Sequence, residues 1–284
     1  MNKKWLLSLL TAAIMLVLAA CGGGDKAEDK ETASGGSSEE DKTIVVGASN
    51  TPHAVILEQA KPILEEQGYD LQIETFQDYV LPNTALEEGD LDANYFQHTP
   101  YLELQKKEQG YDFASAGAIH LEPMAVYSKK YKSLKELPDG ATIILSNSVA
   151  EHGRILMILE AEGIIKIKDG IDKTQAMIDD IAENPKNIKF DYDYEPALLP
   201  QIYNNDEGDA VVINSNYAID AGISPTKDSI ALESTDSPYA NLIVTRTGDE
   251  DSEKIKALVE VLKSKEIQDF ITNEWDGAVV PVTE

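Results

Sequence analysis

Residues 90–103, DLDANYFQHTPYLE, carry the side chains best suited to binding a small molecule. The segment alternates at first as in a β-strand, and Thr99 followed by Pro100 is typical of an N-cap and the first position of a helix. Its rings and imidazole are therefore expected at the carboxyl end of a strand, where open α/β sheets bind ligands. Core packing alone would also explain single rings, because aromatic residues dominate cores as well as sites. The four side chains are Tyr95, Phe96, His98 and Tyr101.

Patterns for catalysis or metal binding are not found in the sequence. No nucleophile with its base, no phosphate-binding loop and no defined pair of carboxylates can be recognised. Cys21 is the only cysteine, and the histidines lack a metal-ligand spacing such as H-x-x-x-H. We therefore predict no enzyme activity, no cofactor and no metal, and we expect His98 to donate or accept hydrogen bonds in a pocket. The four histidines are His53, His98, His120 and His152.

The amino-terminal residues have the pattern of a lipoprotein signal peptide. Two lysines precede an apolar run that ends in LAAC at 18–21. Residues 1–20 are predicted to be removed, and Cys21 is predicted to carry the lipid. Residues 21–42 would then be a lipidated cysteine with a flexible tether, because 22–42 contain no apolar residue larger than alanine. We expect the protein on the extracytoplasmic face of the cell membrane.

A large excess of acidic residues restricts the partners of the protein. The chain has 51 acidic and 24 basic residues, and its formal charge at pH 7 is −27. No basic stripe is present to attract nucleic acid or acidic lipid headgroups. We therefore predict no nucleic-acid partner and no contact with the membrane except through the lipid anchor.

Strand and helix patterns alternate through the rest of the chain. A strand is expected at 43–48, a helix begins at Thr51-Pro52, and the alternation ends with helices near 251–264 and 266–274. This pattern predicts an α/β fold with largely parallel sheets. Further strands are expected at 71–76, 142–145, 187–190, 209–213 and 241–244, with a helix at about 151–163.

Two stretches are candidates for connections between two lobes. Residues 122–129, EPMAVYSK, lead into the middle of the chain, and residues 237–246, SPYANLIVTR, lead back. One predicted lobe comprises 43–123 together with 240–284, and the other comprises 124–239.

Several motifs closely resemble the NlpA-type lipoproteins, the substrate-binding proteins of methionine ABC importers. The resemblance implies a two-lobed, periplasmic-binding-protein-like (type II) fold with two hinge crossovers. It also implies that the lobes close on methionine or a closely related amino acid and deliver it to an ABC permease with its ATPase. The motifs are VVGASNTPHAVILE, GYDLQIETFQDYVLPNTALEEGDLDANYFQHTPYLE, IHLEPMAVYSKKYKSL, ENPKNIKF, VVINSNYAIDAGI and SPYANLIV.

The resemblance also implies a set of ligand-binding residues. Arg154 would bind the ligand carboxylate, and Asn214 and Asn241 would bind polar groups at the cleft. A guanidinium suits a planar carboxylate by geometry and charge, and aromatic rings suit a thioether. We expect Arg154→Ala to cost ligand affinity and little stability. The residues expected around the ligand side chain are Tyr79, Phe96, His98 and Tyr101.

The sequence departs from the family pattern next to this arginine. The family usually has N-D-P-T-N-x-G-R, whereas residues 147–154 are NSVAEHGR, so that Glu151 stands where the family has a ligand-binding asparagine. The carboxylate could accept the ligand ammonium, or it could pair with Arg154 at i, i+3. A different amino acid, a D-isomer or a short peptide is therefore an alternative ligand. An adhesion or interaction role for a surface lipoprotein is the alternative function.

If Glu151 changes the specificity, Glu151→Asn should strengthen the binding of methionine, because it restores the family residue. Calorimetry with methionine and related amino acids measures the effect. Affinities that do not change between the variant and the parent chain would contradict this hypothesis.

Overall fold

Two β-sheets organise residues 42–282, which are the residues that the computed structural model describes. The predicted signal peptide, Cys21 and the tether up to residue 41 lie outside the described residues. None of the helices over 42–282 has the length and apolar character needed to cross a bilayer.

The strands and helices follow in the order expected for an α/β chain. The strands are β1 Thr43–Ser49, β2 Asp70–Phe76, β3 Ala93–His98, β4 Phe113–Leu121, β5 Ala125–Tyr127, β6 Thr142–Ser146, β7 Lys166–Ile167, β8 Ile181–Glu183, β9 Lys189–Tyr194, β10 Ala210–Ile213, β11 Ser229–Leu232, β12 Ala240–Arg246 and β13 Val280–Pro281. The α-helices are α1 Val55–Glu66, α2 Leu81–Glu88, α3 Thr99–Gln109, α4 His152–Ala161, α5 Leu199–Asn204, α6 Ser215–Asp220, α7 Glu253–Leu262 and α8 Lys265–Glu274.

The sheets are mixed. The first sheet has the order β13-β4-β12-β3-β1-β2, the second has the order β11-β5-β10-β6-β9, and β7 pairs with β8 alone. In the two larger sheets, β1 is parallel to β2 and β3, and β6 is parallel to β9 and β10. The prediction of largely parallel sheets is wrong for the pairs of β4, β5, β11, β12 and β13, which are antiparallel. The main cause is β12, which returns from the second sheet and inserts between β3 and β4 in the opposite direction.

The chain passes twice between the sheets. It leaves the first sheet after β4 through residues 122–124, and it returns after β11 through residues 233–239 to enter β12. Each sheet has its own apolar core: one centres on β1, α1 and α7, and the other lies around β6, β10 and α4. The predicted boundaries, 43–123 with 240–284 and 124–239, remain a prediction.

Two predicted helix starts are displaced in the structure. The helix expected at Thr51-Pro52 begins at Val55, after an irregular turn over Asn50–Ala54 with a cis Thr51-Pro52 bond. Thr51 is extended, as steric repulsion from a following proline favours. At α3 the N-cap is His98 rather than Thr99, because the imidazole Nδ1 accepts a hydrogen bond from the Tyr101 N–H at 3.3 Å.

Gly153 allows the first turn of α4 to pack tightly against the segment Lys173–Gln175. A Cβ atom at this position would lie 2.7 Å from the backbone oxygen of Thr174. Because Arg154 is the next residue, this backbone contact also fixes the position of the Arg154 Cα atom, from which the guanidinium extends.

We expect Gly153→Ala to lower the free energy of unfolding by about 1–3 kcal/mol, because the new methyl group would collide with backbone atoms, which cannot move aside as a side chain can. The higher helix propensity of alanine does not compensate for this collision. Thermal or urea unfolding measures the loss. Gly117→Ala is the matched control and should cost less, since the new methyl group would contact only side chains, with Val259 Cγ1 at 3.1 Å. Equal losses in the two variants would contradict the argument.

Candidate ligand-binding site

A cavity lies between residues of the first sheet and residues at the start of α4 and α6, helices that follow strands of the second sheet. All eight residues predicted to bind ligand line it, although the sequence places them between positions 79 and 241. Four further residues, Gln97, Glu122, Ser215 and Asn216, complete the lining. The eight predicted residues are Tyr79, Phe96, His98, Tyr101, Glu151, Arg154, Asn214 and Asn241.

One side of the cavity is aromatic. The ring centroids of Tyr79, Phe96 and Tyr101 lie 5.9–6.1 Å apart, and Tyr217 adds a ring 5.0 Å from Tyr79. Tyr101 is fixed because its hydroxyl donates to the Tyr79 carbonyl at 2.9 Å. Such an arrangement can hold an apolar or thioether side chain. Of the four side chains noted first in the sequence, only Tyr95 lies outside the cavity lining, in the first core.

His98 connects the aromatic side to the polar side. Its Nδ1 accepts from the Tyr101 backbone, so its Nε2 carries a hydrogen that can be donated to Glu151 Oε1 at 2.7 Å. The tautomer is therefore set by the cap of α3. The expectation of a hydrogen-bonding histidine agrees with this geometry.

Arg154 is the buried cation of the cavity, with 4% of its surface exposed. Its Nε and Nη2 donate to Glu233 Oε2 at 2.9 and 2.6 Å, and Nη2 also donates to the backbone oxygen of Glu122 at 2.7 Å. The ring of Tyr239 covers one face of the guanidinium at 4.7 Å. Burial alone would lower the pKa of Arg154, but Glu233 and Glu151 raise it, so the group is always charged.

Glu151 is the second member of this charged group. Its Oε1 also accepts from Asn214 Nδ2 at 3.3 Å, and its Oε2 lies 3.6 Å from Arg154 Nη1. Burial by itself would raise the pKa of Glu151, but His98, Arg154 and Asn214 lower it to about 2. Of the two roles considered for this residue, pairing with Arg154 is therefore present in the structure. Whether Glu151 also accepts a ligand ammonium remains a prediction.

Hydrogen bonds join the two sides of the cavity. The Tyr79 hydroxyl, next to β2, donates to Asn216 Oδ1 at 2.7 Å on α6, and the Tyr217 hydroxyl donates to the Gln77 carbonyl at 3.2 Å. Together with the contact between His98 and Glu151, these bonds hold the walls together around the cavity. A ligand bound here would be enclosed by residues from both sides of the cavity.

Sequence reasoning missed a cluster beside the cavity formed by His53, His120 and Glu122. The two imidazoles contact Glu122 Oε1, and their ligand atoms lie within 4.8 Å of one another. No metal-ligand spacing in the sequence reveals this cluster, because His53 is on a loop after β1 and His120 is on β4. The only available signal was the glutamate in EPMAVYSK, which was assigned to a connection.

The two sheets, the two crossovers and the enclosed cavity define a two-lobed solute-binding protein of the periplasmic-binding type. The model of the NlpA lipoprotein family matches residues 44–283, and the chain belongs to this family. Among its relatives is the methionine-binding lipoprotein MetQ of Bacillus subtilis strain 168. The two are 54% identical over 243 residues, which are 85% of this chain and 88% of the relative.

Solved structures are similar over nearly the same length. A nutrient-binding protein from Burkholderia cenocepacia, bound to methionine, is 44% identical with a TM-score of 0.78, covering 84% of this chain and 99% of that one. A lipoprotein of the YaeC family from Enterococcus faecalis V583, described as a pheromone cOB1 precursor, is 56% identical with a TM-score of 0.83. It covers 84% of this chain and 100% of that one.

The burial of Arg154 changes the expected effect of removing it. Arg154→Ala leaves the Glu233 carboxylate, 8% exposed, without its cation, so we expect a loss of about 3–5 kcal/mol in the free energy of unfolding. The sequence led us to expect little loss. Thermal unfolding without ligand tests the revised value.

Two further variants control this measurement. Adding Glu233→Gln to Arg154→Ala should recover part of the loss, because the side chain at 233 then carries no charge that needs a cation. Arg246→Ala, at the only other arginine, should cost less, since its ion-pair partner Asp249 is half exposed and its other acceptors are the uncharged backbone oxygens of Leu86 and Leu91. An Arg154→Ala protein as stable as the parent chain would contradict the account of the ion pair.

Proposed function

We propose that this chain binds methionine, or a closely related amino acid, between its two lobes and delivers it to an ABC importer. The observation that carries the proposal is the position of the buried Arg154 guanidinium in the same cavity as the rings of Tyr79, Phe96 and Tyr101. A guanidinium suits the carboxylate of an amino acid, and the rings suit its thioether. The relatives named for methionine binding support the choice of ligand.

Enclosure is needed to reach a useful affinity. Micromolar binding requires about 8 kcal/mol, whereas a charge-assisted hydrogen bond contributes about 1.5–3 kcal/mol and each aromatic contact with sulfur roughly 0.3–1.5 kcal/mol. Association costs reduce this sum further. Removal of the remaining ligand surface from water as the lobes close would supply the difference. The hydrogen bond of Tyr79 with Asn216 is one of those that would stabilise the closed arrangement.

The delivery step follows from the membership of the chain in a lipoprotein family. A lipid on Cys21 would hold the protein at the extracytoplasmic face of the membrane, and the tether would let the folded part reach a permease. The permease and its ATPase would be the protein partners. The role is binding and transfer, without a catalytic step.

Calorimetric titration of the mature chain with L-methionine, D-methionine and other amino acids tests this function. We expect stoichiometric binding of methionine with a dissociation constant in the micromolar range or lower. The same titrations show whether a D-isomer or another amino acid binds more tightly than L-methionine. Mass spectrometry of any small molecule that copurifies complements them. A chain that binds no amino acid or short peptide would contradict the proposal and favour an interaction role.

A further inference from the structure

Glu122 is a buried carboxylate at the cavity that was not among the expected ligand-binding residues. It lies on the first crossover, is 5% exposed and lines the cavity. Its Oε1 is 2.8 Å from His120 Nε2, 3.1 Å from His53 Nε2 and 3.4 Å from Asn241 Nδ2. The carboxylate is therefore held in one orientation while it borders the cavity.

The groups that hold Glu122 are neutral. Burial lowers the pKa of His53 to about 4 and that of His120 to about 3, so both imidazoles are uncharged at neutral pH. His120 accepts from the Tyr95 hydroxyl at Nδ1, which makes its Nε2 a donor toward Glu122. Within residues 42–282, no Lys or Arg nitrogen lies within 4.0 Å of this carboxylate. Burial raises the pKa of Glu122, and the interactions with His53 and Arg154 offset this only in part.

The charges around the cavity do not balance. Three carboxylates meet here: Glu122, Glu151 and Glu233. The guanidinium here is that of Arg154, which pairs with Glu233 and Glu151, while His98 Nε2 donates a hydrogen bond to Glu151. One guanidinium cannot compensate three carboxylates, and Glu122 is the one with no Lys or Arg nitrogen within 4.0 Å among the described residues. A buried anion of this kind favours a cationic ligand group.

We propose that Glu122 binds the ammonium group of the amino-acid ligand, an inference that rests on the proposed function. Arg154 Nη2 donates to the backbone oxygen of this same residue at 2.7 Å, so the guanidinium and the Glu122 carboxylate belong to one fixed unit. An α-amino acid carries its carboxylate and its ammonium on one carbon atom and can meet both groups at once. Glu151, already in contact with His98 and Arg154, then keeps these side chains in place.

The cluster of His53, His120 and Glu122 could instead hold a metal ion, because two imidazoles and a carboxylate are common metal ligands. His53 Nε2, however, faces two acceptor oxygens, Glu122 Oε1 at 3.1 Å and Asn241 Oδ1 at 3.3 Å, so it carries a hydrogen, as His120 Nε2 does toward Glu122. His53 Nδ1 is buried and has no hydrogen-bond partner among the described residues, whereas a ligating histidine usually anchors its second nitrogen. The geometry is therefore that of an oriented carboxylate.

The test combines a change in the ligand with a change in the protein. Calorimetry gives the affinities of the wild-type chain and of Glu122→Gln for methionine and for its deaminated analogue, which keeps the carboxylate and the thioether. We expect the wild-type chain to prefer methionine at least about tenfold, and Glu122→Gln to bind the two ligands almost equally. Glutamine keeps an acceptor for His53 and His120 and removes only the charge.

The ratio of the two affinities is the decisive quantity. Any loss of folded protein lowers both affinities equally and cancels in this ratio. Glu151→Gln should keep the preference for methionine, and Glu58→Gln, on an exposed residue, should leave both affinities unchanged. These results would support the inference.

Other results would overturn it. These are a wild-type chain that binds both ligands equally, a Glu122→Gln variant that keeps the wild-type preference, and a preference that disappears in Glu151→Gln alone. Tight binding of Zn²⁺ that is lost in Glu122→Gln, with the preference for methionine intact, would identify a metal site instead. A wild-type chain that binds no amino acid would overturn the proposed function as well, so the two failures can be told apart.

Discussion

The burial of the Arg154 guanidinium is the constraint on which the cavity depends. A charge removed from water must be compensated, and Glu233 and Glu151 provide this compensation. Their carboxylates make the cavity strongly anionic around one cation. Several buried carboxylates around one cation would destabilise an ordinary hydrophobic core. The same arrangement suits a site that binds a zwitterion.

The cavity also depends on contacts between residues on both sides of it. Tyr79 with Asn216 and His98 with Glu151 are separated by 137 and 53 positions in sequence and meet only across the cavity. Each bond is formed or lost when the walls approach or separate. Binding and closure would therefore be coupled, because the groups proposed to contact a ligand are the groups that hold the walls together.

Much of the fold could be predicted, because strands and helices leave periodic patterns in the sequence. The strands β1, β2, β6 and β10 lie within two residues of their expected positions, and the turn at Asn187, with φ of 52°, explains why β9 begins later than expected. The direction of β12 could not be predicted. Its partners, β3 and β4, lie more than one hundred residues earlier in the chain, and pairing at that distance leaves no local pattern.

The sequence by itself determined the α/β class, the lipoprotein pattern and, through the family motifs, the eight predicted residues that meet at one cavity. Only the tertiary structure decided how these residues are paired. It placed Glu233 on Arg154, and it brought His53 and His120 to Glu122 from separate elements. The physical reason is that spacing reports neighbours within one strand or helix, whereas buried charges are compensated by whatever side chains the packing brings within reach.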